Sequence, residues 1–191
     1  MTRRPRLRWT ALGLALALCV GASGQAQEAA AEQRSRVEAA FLRNFARYVG
    51  WPASAFAGER SPWHVCILGD DHFGDALDRT LQDRIEQGRP FTILRDAASD
   101  QLPSCQIVYV GYESAARRRA ALEAFKRMPI LTVGHAPEFL QEGGIIRLIA
   151  ADRIEMSINL DQARAASLTI PAKMLEVSRD VIDQGVQRRW R

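Results

Sequence analysis

His64-Val65-Cys66-Ile67-Leu68-Gly69-Asp70-Asp71-His72-Phe73-Gly74 is the stretch that decides the fold. His64 to Leu68 reads as a buried strand, the glycine- and aspartate-rich half as a turn, and a helix follows to about Arg84. Working outward, Phe91 to Leu94 is a short strand and Gln106 to Val110 a stronger one, rich in β-branched and aromatic side chains. Ser114 caps a helix to Arg127 whose inner face is marked by Ala121, Phe125 and Met128, with Arg117, Arg118 and Arg119 on a solvated face. Ile130 to Val133 is the next strand. Strands separated by helices predict a single three-layer α/β domain, a largely parallel sheet flanked by helices.

The ends of the chain complete this plan. Val37, Phe41, Phe45 and Tyr48 recur at helical spacing and define the inner face of an opening helix that ends at Trp51-Pro52. Towards the C-terminus a short helix at about Pro137 to Gln141 stops at Gly143-Gly144. Ile145 to Ala150 and Ile154 to Leu160 form a C-terminal antiparallel hairpin at one edge of the sheet, turning at Ala151-Asp152-Arg153. In its second strand Ile154, Met156, Ile158 and Leu160 alternate with Glu155, Ser157 and Asn159, which predicts one buried and one wet face. Asp161 caps the next helix, and Pro171 opens a last helix running towards Val181.

Residues 1–26 have the layout of a cleaved export signal, and residues 27–191 are the domain proper. Arg3, Arg4, Arg6 and Arg8 precede an apolar stretch from Trp9 to Val20 that is too short to span a bilayer, and Gly24-Gln25-Ala26 offers a small-residue cleavage site. Leu18 before Cys19 does not suit a lipidation signal. The whole chain has 26 Lys+Arg and 22 Asp+Glu; the signal holds four arginines and no acids, so the mature chain is formally neutral and nucleic acid is not an expected partner. Cys66 and Cys105 remain after processing. In an oxidising compartment such a pair is a disulfide rather than a metal site, and it fits a pairing of the strands that begin near each cysteine.

Residues with chemical potential do not converge in the sequence. Gly69 to Gly74, with Asp70 and Asp71, is the most site-like loop because it leaves a strand for a helix N-terminus, yet it lacks the phosphate-loop and dinucleotide signatures. His72 with Asp70, Asp71 and Asp75 is a conceivable cation loop, but His64 and His135 lie far along the chain, so no metal site is expected. Gly111-Tyr112-Glu113-Ser114 misses the nucleophile-elbow spacing, and Glu142 and Glu155 have no evident pocket. Neither an enzyme nor a cofactor is expected.

Four stretches, taken in order, carry a resemblance. They are Val37 to Phe45 leading to Val49-Gly50-Trp51-Pro52; Cys66 to Gly74; Ser104-Cys105-Gln106-Ile107-Val108-Tyr109-Val110; and Ile130 to Val133 through Gly143-Gly144-Ile145-Ile146 to Ile158-Asn159-Leu160, Ala163, Ala166 and Leu168. Together they resemble the YfiR family of periplasmic regulators over about Val37 to Arg179. The resemblance implies a periplasmic, non-catalytic protein that inhibits a membrane-bound diguanylate cyclase by binding its periplasmic sensor part, limiting cyclic di-GMP signalling and biofilm formation. It also implies a Cys66–Cys105 disulfide, without the second cysteine pair of the best studied type. A small-molecule binding module built on Gly69, Asp70, Asp71 and Gly74 is the alternative, and homodimerisation is left open. The partner surface is expected at the C-terminal end, on Asn159, Ile170, Pro171, Lys173, Met174 and Leu175, with the competing reading that the apolar ones among them only pack the last helix onto the sheet.

Overall fold

The computed structural model describes residues 12–95 and 104–189, with side chains described from residue 27 onward. The arginines and Cys19 of the expected export signal lie outside the described side chains. The first helix, α1 (Leu12–Tyr48), is followed by β1 (Trp63–Gly69), α2 (Asp75–Leu81), the hairpin strands β2 (Ile85–Glu86) and β3 (Arg89–Arg95), β4 (Ile107–Gly111), α3 (Ala115–Ala124) and β5 (Leu131–Gly134). The rest comprises β6 (Ile146–Ala150), β7 (Ile154–Asn159), α4 (Leu160–Ala165), α5 (Ala172–Glu176), β8 (Asp180–Asp183) and β9 (Val186–Arg189). Among the described residues these strands form one mixed sheet in the order β2-β3-β1-β4-β5-β6-β7-β8-β9. The run β3-β1-β4-β5-β6 is parallel throughout, as the α/β reading predicts.

Period-two alternation explains the layers. Trp63, Val65 and Ile67 of β1, Ile107 and Tyr109 of β4, and Leu131 and Val133 of β5 face one buried cluster with α1, α2 and α4. Cys66 and Leu68 of β1 and Val108 and Val110 of β4 face a second with Leu122, Phe125 and Phe139. β1 and β4 are parallel neighbours, and the predicted Cys66–Cys105 disulfide joins them with Cα atoms 6.0 Å apart.

Several local expectations are corrected. The inner face of α1 is Ser35, Glu38, Ala39, Leu42, Phe45, Ala46 and Val49; Val37 and Phe41 are half-buried and Tyr48 is exposed. The buried face thus runs through Ala39, Leu42, Phe45, Ala46 and Val49, which leaves Phe41 and Tyr48 on its flank. Arg118 is buried, not solvated: its guanidinium makes a two-pronged contact to Glu142 at 2.8 and 2.9 Å and donates to the carbonyls of Tyr112 and Glu113. Residues 137–143 form turns rather than a helix, ending where Gly143 takes φ 104°.

The hairpin at β6–β7 is antiparallel as expected but does not end the sheet, because β8 pairs with β7 and β9 with β8. On the face of β7 predicted to be wet, Ser157 and Asn159 are buried, the Asn159 side chain lying against the Leu140 carbonyl, while Glu155 is half-buried. α4 is capped by Asn159, whose side chain accepts from the Gln162 amide; Asp161 instead accepts from the amides of Gln184 and Gly185. α5 stops at Glu176, where the Ser178 hydroxyl donates to the Met174 carbonyl, and the Arg179 amide then bonds to Met156 to start β8.

Both added hairpins turn on Gln-Gly. Gln87 and Gly88 have φ 52° and 77°, and Gln184 and Gly185 have φ 53° and 73°. Two successive positive φ values make the tight turn whose twist matches paired strands.

Candidate functional site

Two regions could carry function, and α1 contributes to both. One flank of α1 faces α5 across an apolar groove of about 370 Å³, lined by Phe41, Phe45, Tyr48, Met156, Pro171, Met174 and Val177. Tyr48 is 48% and Val177 62% exposed, so large apolar side chains stand at its rim without cover. Arg47, Asn44 and Lys173 edge the same groove, with the Arg47 guanidinium 5.4 Å from the centre of the Tyr48 ring. Phe41, Met156 and Val177 are shared with an adjoining depression bordered by Arg153, Arg179 and Arg189. The result is an apolar floor whose border carries Arg47 and Lys173 on the groove and, on the depression, arginines of which Arg153 and Arg179 are paired with Glu155. A wider depression between α2 and the β2–β3 hairpin is lined by Asp78, Asp83 and Arg84 as well as apolar residues, and Asp78 is already paired with Arg95.

The predicted partner residues divide. Pro171, Lys173 and Met174 line the groove, although Met174 is itself buried. Ile170 and Leu175 are half-buried against the core, the packing role weighed for them from sequence. Asn159 is buried, donating to the Leu140 carbonyl as well as capping α4, and offers nothing to a partner. Tyr48 and Val177 were missed; an apolar residue just past the end of a short helix, here Val177 after α5, is the signal that could have found one of them.

The second region lies at the carboxyl ends of the parallel strands. His72 follows β1, Tyr109 is on β4 and His135 immediately follows β5. Glu38, from the inner face of α1, reaches this point with its side chain only 1% exposed. Its Oε2 meets Nε2 of His72 in a close contact and Nε2 of His135 at 3.0 Å. The Tyr109 hydroxyl is 2.6 Å from Nδ1 of His135. Ser35 donates to the His72 carbonyl at 2.7 Å and pins the loop to α1. Burial favours the neutral acid of Glu38, but hydrogen bonds from His135 and His72 and the attraction of their charge outweigh it and lower its pKa to about 2. For Tyr109, burial first, then the charges of Glu38, Asp71 and Asp70, push the phenol well above its ordinary range.

The structure thus joins His72 to His135, which sequence reading kept apart, and separates it from the aspartates of its own loop. Asp71 Oδ1 accepts from the amides of Phe73 and Gly74, while Oδ2 pairs with Arg95 at 2.6 Å. The amides that an anionic ligand would need at Gly69 to Gly74 are therefore partly taken by Asp71. Gly69 has φ 78°, and an added Cβ would lie 2.6 Å from the Tyr112 ring. His64 lies elsewhere, against the Ser104 carbonyl. Glu142 is held by Arg118, far in role from an acid or base.

Comparison with known families supplies the last observation: the profile described as YfiR/HmsC-like matches residues 35–179. The chain belongs to the YfiR/HmsC-like family. The match opens at Ser35, the first buried residue of α1 among those with described side chains, and closes at Arg179, where the chain enters β8. It therefore takes in both the groove and the Glu38 cluster of this YfiR/HmsC-like domain. YfiR-like proteins are periplasmic, regulatory and non-catalytic. No curated protein matches the chain.

Proposed function

We infer that this chain is a periplasmic regulator that inhibits a membrane-bound diguanylate cyclase by binding its periplasmic sensor part, limiting cyclic di-GMP output and biofilm formation. Family membership supports the reading, and the observation that carries it is the uncovered apolar groove between α1 and α5. Exposed aromatic and aliphatic anchors around a desolvated pocket are what protein interfaces use for affinity, while charges at the rim set orientation. With Arg47 and Lys173 at that rim, the complementary segment carries apolar side chains flanked by acidic ones.

Export and cleavage near Ala26 belong to the same reading. Among the described residues no helix is long and apolar enough to cross a membrane.

The test substitutes the rim. Val177→Asp and Lys173→Glu, both at exposed positions, are expected to keep the melting temperature, to lose capture of the cyclase from solubilised membranes, and to raise cellular cyclic di-GMP. Stable variants that bind and repress like the wild type would remove the groove from the interface.

A further inference from the structure

The sheet has a switch point between β1 and β4. From β1 the chain passes through α2 to β3 on one side, then crosses back to β4 on the other. At such a point the connections diverge to opposite faces and leave a crevice outside the carboxyl ends of the strands, the usual place for a ligand in an open α/β sheet. Here the crevice is roofed by α1 and holds Glu38, His72 and His135, whose ligand-capable atoms all lie within 4.8 Å of one another.

Glu38 is the informative member. Its Oε2 serves both imidazoles, while its Oε1 is equally buried and has no hydrogen-bond partner among the described residues. A carboxylate recruited only to hold two histidines leaves no reason for a second oxygen to be desolvated at a cost. A cation in the crevice gives it one, since a carboxylate can close on a metal through either oxygen or both.

The donor chemistry narrows the ion. Two imidazole nitrogens and one carboxylate suit zinc and its neighbours, whereas magnesium and calcium favour oxygen-only shells. Both rings turn Nε2 to the same point, and His135 is fixed in that orientation by Tyr109 at its Nδ1, as metal-bound histidines are by outer hydrogen bonds. Tetrahedral zinc sets its ligand atoms about 3.3 Å apart, given bonds of about 2.0–2.1 Å. The Glu38–His135 separation of 3.0 Å needs only a small expansion to match, and the closer Glu38–His72 contact a larger one. The side chains of His72 and His135 are 33% and 30% exposed, which gives the ion access from solvent and leaves a fourth position for water.

We propose that Glu38, His72 and His135 bind one divalent transition-metal cation of the zinc class, with Tyr109 positioning His135. The site does not depend on the cyclase reading and stands or falls separately.

The experiment uses the purified chain stripped with EDTA. Titration with cobalt(II) is expected to give visible bands saturating at one equivalent, which zinc then bleaches, and zinc is expected to raise the melting temperature reversibly. His72→Ala and His135→Ala should weaken cobalt binding at least 100-fold. Tyr109→Phe should weaken it roughly 10-fold, as loss of an outer-shell partner does, while changing the cobalt spectrum. The chain has three histidines, so His64→Ala is the control and should bind like the wild type. If a variant fails to fold, zinc binding and thermal protection of the wild type still decide. Absence of stoichiometric binding by the folded wild type would overturn the proposal, as would binding unaffected in folded His72→Ala and His135→Ala.

Discussion

Replacing Arg118 with methionine removes a charge that the fold has enclosed rather than one that water can replace. The Arg118 and Glu142 side chains are 7% and 3% exposed, and the guanidinium gives two bonds to the carboxylate and two to the carbonyls of Tyr112 and Glu113. Arg118→Met leaves the Glu142 carboxylate desolvated, with Arg119, 3.6 Å away, as its remaining charged neighbour in the structure. Breaking a buried pair from one side costs about 3–5 kcal/mol. For a domain of this size that lowers Tm by roughly 6–20 °C. Glu142→Leu should cost a similar amount by stranding the guanidinium. The double variant should recover about 2 kcal/mol or more relative to Arg118→Met, because an apolar pair carries no uncompensated charge. Urea unfolding of the four proteins gives the coupling energy directly. A loss below about 1 kcal/mol in Arg118→Met, or strictly additive single effects, would return Arg118 to the solvated helix face that its neighbours occupy.

Three further outcomes follow from other parts of the molecule. The Cys66–Cys105 bridge spans 39 residues, so Cys66→Ser should lower stability by about 4 kcal/mol on the loop-entropy account; non-reducing peptide mapping that finds two free thiols would refute the bridge. Gly134 and Gly144 both abut the buried Phe139 ring, with an added Cβ at Gly144 meeting it at 2.2 Å. Gly144→Ala should therefore cost about 1–3 kcal/mol by overpacking, partly relieved by Phe139→Leu, and equal denaturation midpoints for Gly144→Ala and wild type would exclude the clash. Intact mass of the periplasmic protein should correspond to a chain starting at about Gln27, and a full-length or lipidated product would contradict export by a cleaved signal.

What the sequence made legible was the repeated, local part of the design. Continuous apolar runs such as Val65 to Leu68 and Ile107 to Val110 announce strands covered on both faces, and the helices between them set the parallel order. The disulfide, expected from the oxidising compartment and the family resemblance, fitted that order. Short hairpins were not legible, since β2 has only two residues and both added turns use Gln-Gly instead of the stronger Asn-Gly or Asp-Gly signals. The inner face of α1 was only partly read, because the periodicity argument weighed aromatic side chains and passed over the smaller or polar Ser35, Glu38, Ala39 and Ala46 that are also buried there. The groove anchors and the Glu38 cluster depend on where α1 crosses the sheet, and no spacing in the chain encodes that a glutamate on a helix meets two histidines from distant strand ends.

The Gln-Gly hairpins give the two rims of the sheet a common ending. An open sheet has no intrinsic stop, and a bare rim can pair with the rim of another molecule and begin a fibre. On one side lies β2, two residues paired with Arg89 and Pro90 at the start of β3, too short to template a neighbour along its length. On the other lies β9, whose residues are all exposed and include Arg188 and Arg189. Two copies approaching along β9 bring arginines against arginines before backbone bonds can form. The exposed arginines of β9 thereby oppose backbone pairing between copies along that rim.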